Sequence, residues 1–224
     1  LDFNHTSVLE IPDTLVNLVS LTCSTTGIED IPKTLVNLEE LVCSECVYIQ
    51  VIPNILVNLK VLNCHLTRIR DIPETLVNLE GLDCSECGYI EAISEKLVNL
   101  KILKCYETSI QSIPKTLVNL VQLNCSSTYI EDIPGSLVNL EYLDCIASPV
   151  SSLPKTLTSL EYLYCDNTGI RSIPKTLVNL KILSCMYTKV KEIPDNLIQL
   201  TELNCRGTEV DKIPGTLTQL TGLN

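Results

Sequence analysis

Apolar and polar positions follow one short pattern along this chain, and the pattern returns about every 20 residues. One copy reads L-x-x-L-x-C-x-x-T-x-I-x-x-I-P-x-x-L-x-N, and the tetrapeptide Leu-Val-Asn-Leu occurs eight times, first at 15–18 and last at 177–180. Such self-similarity is typical of solenoids, in which each copy forms one coil stacked on the next. Because about 11 copies use up all 224 residues, the sequence predicts a single solenoid over 1–224 without a linker.

Each copy predicts a short strand followed by a compact return. In Leu21-Thr22-Cys23 the alternate residues are apolar, as in a strand with one buried face. Copies stacked at about 4.8 Å would join these strands into a parallel sheet. The proline that follows in nearly every copy prevents sheet pairing on the return. The Leu-x-x-Leu spacing of Leu35 and Leu38 predicts a short 3₁₀-like turn or an extended segment there.

The pattern resembles the leucine-rich repeat, L-x-x-L-x-L-x-x-N-x-L, with Cys at the third apolar site and Thr at the Asn site. This resemblance implies an α/β-type repeat solenoid, a horseshoe with a parallel sheet on its concave face and short 3₁₀ or extended segments on its convex face. The 20-residue length resembles the shortest class of these repeats. The motif Leu-x-Cys-x-x-Thr-x-Ile-x-x-Ile-Pro resembles the repeat arrays of giant DNA viruses of amoebae, the mimivirus relatives. This resemblance implies a viral protein.

Three polar or weakly polar columns accompany the aliphatic ones, and each has a structural interpretation. Free cysteine behaves as a small apolar residue, so the column from Cys23 to Cys205 is expected to face the core. The threonines three residues later, such as Thr26, are expected to satisfy backbone groups where the strand bends. The asparagines of the Leu-Val-Asn-Leu segments, such as Asn37, are expected to form a second ladder bonded to neighbouring coils.

Two C-x-x-C pairs, at 43–46 and 84–87, raise the question of a zinc site. Cys46 and Cys87 fall in the threonine column of coils with one coil between them, which places them about 10 Å apart. Two sulfurs that share one zinc lie at most about 4.6 Å apart, so stacked coils exclude a four-cysteine site. A redox pair remains an alternative, but burial at the turn is the simpler interpretation. We expect no metal, no cofactor and no catalytic residue.

Composition narrows the class of partner. The net charge of −11 and the pI of about 4.6 argue against binding to nucleic acid or to an anionic membrane. In-register cysteines have Cβ atoms about 4.8 Å apart, which is too far for a disulfide. A column of thiols is stable in a reducing compartment, so we expect an intracellular, cytoplasmic protein, in the host cytoplasm or the virion if it is viral.

Function is expected where the repeat does not dictate the residue, on the outward positions of the concave sheet face. Tyrosine and methionine, which are enriched in interface cores, collect there in the second half of the chain. The sequence therefore predicts a non-enzymatic module that binds a protein, which would be a host protein if the chain is viral. The predicted partner-binding residues are Tyr106, Tyr142, Asp144, Ile146, Tyr162, Tyr164, Asp166 and Met186.

Two other functions remain open. The terminal copies have no recognisable polar caps, which terminal repeats normally need. The chain could therefore be a structural protein that stacks end to end on other copies through open sheet edges. It could also be a piece of a longer protein, such as the recognition arm of an adaptor.

Overall fold

The computed structural model describes all residues, 1–224, and its regular elements are eleven short parallel strands. The chain divides into two compact units, Leu1–Ile110 and Gln111–Asn224. The first unit contains β1 (Ser20–Thr22), β2 (Glu40–Val42), β3 (Val61–Asn63), β4 (Gly81–Asp83) and β5 (Ile102–Lys104). The second contains β6 (Gln122–Asn124), β7 (Tyr142–Asp144), β8 (Tyr162–Tyr164), β9 (Ile182–Ser184), β10 (Glu202–Asn204) and β11 (Gly222–Leu223).

Strand pairing follows chain order in both units, and its register repeats the sequence period. In the first unit Leu21 pairs with Leu41, and Leu41 with Leu62. In the second unit Leu143 pairs with Leu163, and Leu163 with Leu183. Equivalent residues of consecutive coils therefore lie side by side, which confirms the predicted parallel sheet and the 20- to 21-residue coil.

The core of each unit is almost entirely aliphatic. The strand leucines, the cysteines, the Ile-x-x-Ile pairs and the Leu-x-x-Leu pairs all point inward, and most have no exposed surface. Burying one such side chain stabilises a fold by roughly 1.5–3 kcal/mol. All twelve cysteines are thiols rather than disulfides, and all except the half-exposed Cys205 are buried. Core placement of the cysteine column is thus confirmed.

The return segments are built from consecutive turns and contain no helix. In one coil the N–H of Leu56 donates to the carbonyl of Pro53 at 3.2 Å, and the N–H of Leu59 donates to that of Leu56 at 3.1 Å. These i to i+3 bonds have the spacing of a 3₁₀-helix, as predicted, but each closes only one turn.

The structure has no helix with the length and apolar character needed to cross a bilayer.

A left-handed residue follows each of the strands β1 to β10, and this feature is not evident from the sequence. The residue two positions after the cysteine has a positive φ, for example 57° at Thr25 and 55° at Asn167, and only Gly207 among these residues is a glycine. Left-handed geometry is unfavourable for residues with a side chain. It is offset here because the N–H of Thr25 donates to the Ser44 carbonyl of the adjacent coil at 2.9 Å, and that of Asn167 to the Met186 carbonyl at 2.8 Å.

The expected threonine and asparagine ladders are both present. The hydroxyl of Thr26 donates to the carbonyl of Cys23 at 2.7 Å and so closes the turn after the strand. The amide of Asn78 donates to the carbonyl of Val57 in the preceding coil at 2.9 Å. A third ladder was not predicted: hydroxyls two residues after the proline, such as that of Thr176, donate to the preceding coil, here to the Lys155 carbonyl at 2.6 Å.

Replacing Thr168 with valine should test the turn-closing threonines. Its hydroxyl donates to the Cys165 carbonyl at 2.6 Å, and valine would leave that buried acceptor without this donor. We expect the free energy of unfolding, measured by urea denaturation, to fall by about 1–3 kcal/mol. The exposed Thr34, whose hydroxyl makes no hydrogen bond although it lies two residues after a proline, is the control and should shift stability by no more than about 0.5 kcal/mol when changed in the same way. Equal losses in both variants would contradict this role.

Alkylation of the native protein should distinguish one cysteine from the other eleven. Cys205 is half-exposed, whereas the other cysteines are buried, and burial raises the pKa of most of them. Hydrogen bonds with the thiols of Cys23 and Cys64 lower the pKa of Cys46 and Cys87 to about 6, so these two are protected by burial alone. Because a buried thiol is out of reach of the reagent, iodoacetamide should modify Cys205 first, even at mildly alkaline pH. Mass spectrometry should then show twelve adducts in denaturant. Rapid native labelling of Cys46 or Cys87 would contradict the buried core.

Candidate functional site

The two C-x-x-C pairs are part of the core. Cys43, Cys46, Cys84 and Cys87 have no exposed surface, which confirms that they are buried at the turn. The thiol of Cys46 donates to the carbonyl of Cys23 at 3.0 Å, and that of Cys87 makes the equivalent contact with the preceding coil. This is the contact that a hydroxyl makes elsewhere, from Ser148 to Cys125 at 2.7 Å. No group of three or more His, Cys, Asp or Glu side chains is arranged to hold a metal ion.

The outward face of β7 and β8 carries a compact group of four side chains. Tyr142 pairs in register with Tyr162, and Asp144 pairs with Tyr164. Because residues two apart on a strand point to the same side, all four project from the same face of the sheet. We refer to Tyr142, Asp144, Tyr162 and Tyr164 as the tyrosine patch. The structure thus brings together four of the predicted site residues, each of them half-buried.

The ring of Tyr142 contacts the other two rings of the tyrosine patch in tilted arrangements. The ring centroid of Tyr142 lies 6.3 Å from that of Tyr162, with an interplanar angle of 37°, and 5.6 Å from that of Tyr164, with an angle of 44°. Both distances fall within the range of favourable aromatic pairs. Since the rings support each other, they form a prearranged surface rather than three independent side chains.

Ionisation within the tyrosine patch is shifted in a consistent direction. Partial burial raises the pKa of the Tyr142 phenol, and the nearby Asp144 carboxylate raises it further. Burial likewise raises the pKa of Tyr164, with Glu202 and Asp144 adding to the shift. The pKa of Asp144 is also raised by burial, although a hydrogen bond from the Ile146 N–H opposes the shift. The phenols of Tyr142 and Tyr164 therefore stay protonated to higher pH than exposed tyrosines do.

An open cavity of about 330 Å³ adjoins the tyrosine patch on the same face. Tyr164 and Ile182 form one side, and Glu202, Asn204 and Gly222 belong to the strands beyond it. The sequence prediction included Tyr164 but not Glu202, Asn204 or Gly222. Their outward positions could have been predicted from the alternation of residues along β10 and β11. They were not selected because they lack the aromatic residues present in the earlier coils.

Three predicted site residues, each directly after a cysteine, differ in how far they are exposed. Ile146 and Met186 are half-buried at the end of the sheet face. Asp166 is only 4% exposed. Its carboxylate accepts one bifurcated hydrogen bond from the Ser184 hydroxyl, at 2.7 and 2.9 Å, and another bond from the Met186 N–H at 2.6 Å. Asp166 therefore orders the strand end from inside the protein, and we do not include it in the contact surface.

Asp166 supplies an acceptor that in other coils comes from the residue just before the cysteine. Asp144 accepts a bond from the N–H of Ile146 at 3.1 Å, and Asn63, Asp83, Asn124 and Asn204 make the same contact two residues on. Ser184 occupies the equivalent position but does not make this bond. The carboxylate of the preceding coil binds the Met186 N–H instead.

Tyr106 belongs to the first unit and is described there by itself. Its ring centroid lies 6.0 Å from that of His65, and the Nε2 atom of His65 lies 3.7 Å from a carboxylate oxygen of Glu86. Burial raises the pKa of Tyr106, with added effects of Glu86 and Asp83. The side chain of Tyr106 thus lies near His65, Glu86 and Asp83.

Solved structures with the same architecture place the chain in a known fold. The functional domain of InlJ from Listeria monocytogenes, which includes a cysteine ladder, matches with a TM-score of 0.88 and 24% identity over 93% of this chain and 49% of that one. A leucine-rich repeat (LRR) protein from Leptospira interrogans matches with a TM-score of 0.73 and 19% identity over 100% of this chain and 77% of that one. This chain has the leucine-rich repeat fold.

A third leucine-rich repeat neighbour is a plant receptor. The Arabidopsis receptor kinase HAESA, solved with the peptide hormone IDA and a co-receptor, has a TM-score of 0.73 and 21% identity over 100% of this chain and 49% of that one. The chain spans about half the length of the InlJ and HAESA chains. No family model matches the sequence, and a search of curated proteins finds no match.

Replacing Asp166 with alanine should reveal its structural role in the leucine-rich repeat. The variant loses the hydrogen bonds that the buried carboxylate accepts from Ser184 and Met186, so we expect the free energy of unfolding to fall by about 1.5–3 kcal/mol in urea. The exposed Asp132, changed to alanine, is the control and should have an effect below about 0.5 kcal/mol. Unchanged stability of the Asp166 variant would return this residue to the candidate contact surface.

Proposed function

We propose that this protein is a non-enzymatic binding module that recognises a protein partner through the exposed sheet face of its second unit. The observation that carries the proposal is the tyrosine patch, in which the Tyr142 ring contacts those of Tyr162 and Tyr164 and all three remain partly exposed. Tyrosine is enriched at interface hot spots because it offers a large, rigid contact area with a polar end. Leucine-rich repeat neighbours include a receptor solved with a peptide hormone, which supports a general protein-binding role.

The surroundings of the tyrosine patch suit an interface better than a catalytic centre. Ile146, Ile182 and Met186 supply apolar surface beside the rings, and the adjoining cavity offers space for a side chain of the partner. The ionisable side chains around the patch are the tyrosines themselves, acids, and Lys181, whose ammonium group is paired with the Glu161 carboxylate at 2.6 Å. We therefore assign the face a binding role rather than a chemical one.

We further propose an intracellular location, which would be the host cytoplasm if the chain is viral. The support is the cysteine column, in which all twelve side chains are thiols. Buried thiols are stable in a reducing compartment, whereas oxidising compartments favour disulfides. The partner would then be an intracellular protein.

Replacing Tyr162 and Tyr164 together with alanine tests the proposed surface. Hot-spot tyrosines contribute about 2 kcal/mol or more each, so capture of specific partners from a cell lysate should fall at least tenfold. The exposed Tyr129, changed to alanine, is the matched control and should retain the wild-type partners. Protection of the buried thiols from alkylation verifies that the variants are folded. An unchanged set of partners would contradict binding through this face.

A further inference from the structure

We propose that the tyrosine patch binds a cation, the guanidinium group of an arginine presented by the protein partner. This inference rests on the proposed function and specifies the chemistry of the contact. Aromatic faces carry partial negative charge and attract cations within about 6 Å of the ring centroid. Three such rings and one carboxylate occupy four adjacent positions on β7 and β8.

The geometry of the rings leaves faces available for a ligand. Tyr142 is tilted by 37° and 44° from its two aromatic neighbours, so the rings are not stacked face to face. The three side chains are half-buried, which means that each still presents part of its ring to solvent. A planar group can therefore approach between rings that are already held in place, at little cost in side-chain entropy.

Most charged side chains around the tyrosine patch are acidic. Asp144 lies within the patch, and Glu202 on β10 is close enough to raise the pKa of the Tyr164 phenol. Lys181 precedes β9, but its ammonium group lies 2.6 Å from the Glu161 carboxylate. The chain as a whole carries a net charge of −11. A cationic partner group is thus attracted over long range and neutralises a carboxylate at contact.

The protein already makes this kind of contact twice elsewhere. The guanidinium carbon of Arg70 lies 5.6 Å from the ring centroid of Tyr89, and that of Arg206 lies 6.0 Å from that of Tyr187. Each of these two rings is therefore already in contact with an arginine of this chain. The rings of the tyrosine patch have only each other as ring partners, so a cation from outside can occupy the equivalent place.

Arginine fits the tyrosine patch better than lysine because of its shape. A guanidinium group is planar, so it can stack on a ring while two of its N–H groups reach a carboxylate such as that of Asp144. The long side-chain stem can lie along apolar residues, which Ile146 and Ile182 provide at the edge of the patch. A compact ammonium group cannot make both contacts in the same way.

Small probes test the cation directly, without knowledge of the partner. The protein is labelled with fluorotyrosine, and its fluorine NMR signals are assigned with single Tyr→Phe variants. N-acetyl-arginine amide is titrated against N-acetyl-citrulline amide, which has nearly the same shape without the charge. We expect both compounds to be followed by the shifts of the Tyr142, Tyr162 and Tyr164 signals, and arginine to bind at least fivefold more tightly than citrulline. The signal of Tyr129 should remain unaffected.

Two controls make the result decisive. Asp144→Asn should weaken arginine binding about threefold or more and leave the citrulline response unchanged. N-acetyl-lysine amide and tetramethylammonium should bind more weakly than arginine. Equal responses to arginine and citrulline, tighter binding of tetramethylammonium, or shifts at Tyr129 as large as those in the patch would each overturn the proposal.

The outcome can be separated from that of the proposed function. If the Tyr162 and Tyr164 variant loses its partners but arginine and citrulline bind alike, the surface is correct and the arginine contact is wrong. If arginine binds the patch selectively but the set of partners is unchanged, the site recognises a cation and the proposed protein-binding role is overturned.

Discussion

Stacking of one coil on the next is the constraint on which the rest of this structure depends. A coil of 20 or 21 residues has a strand of only two or three residues, which cannot persist alone in water. Contacts between neighbouring coils supply what it lacks: strand pairing, the N–H bonds of the left-handed residues, and the ladders of Asn78 and Thr176. Stability in such an array is a sum over neighbouring coils rather than a property of one large core.

The same constraint determines where aromatic residues can lie. The inside of the coil is filled by Leu, Ile and Cys, and the chain contains one Phe and no Trp. Its eight tyrosines lie at positions that the coil does not need for packing, so they remain on the surface. In the second unit, register alone places three of them beside Asp144 on one face. The proposed binding surface is therefore a direct product of the repeat.

The sequence predicts what is repeated better than what varies. The buried cysteines, the threonine bonds and the asparagine ladder could be predicted because one residue type recurs at a fixed place. The left-handed turn could not, since Leu66, Tyr187 and Gly207 share it and have no common signature. Asp166 was predicted to face a partner because of its position next to a cysteine. Its role depends on Ser184 one coil away, and a single copy of the repeat does not reveal that exchange.

Deletion of one whole period tests most directly whether the coil is the structural unit. Removing Cys64–Asp83 joins Asn63 to Cys84 and keeps every column in register. This protein should unfold cooperatively in urea and keep its remaining buried thiols protected from alkylation. Removing only Cys64–Pro73 breaks the register, so it should expose thiols and lower stability strongly. Equal stability and equal thiol protection in the two deletions would contradict the account.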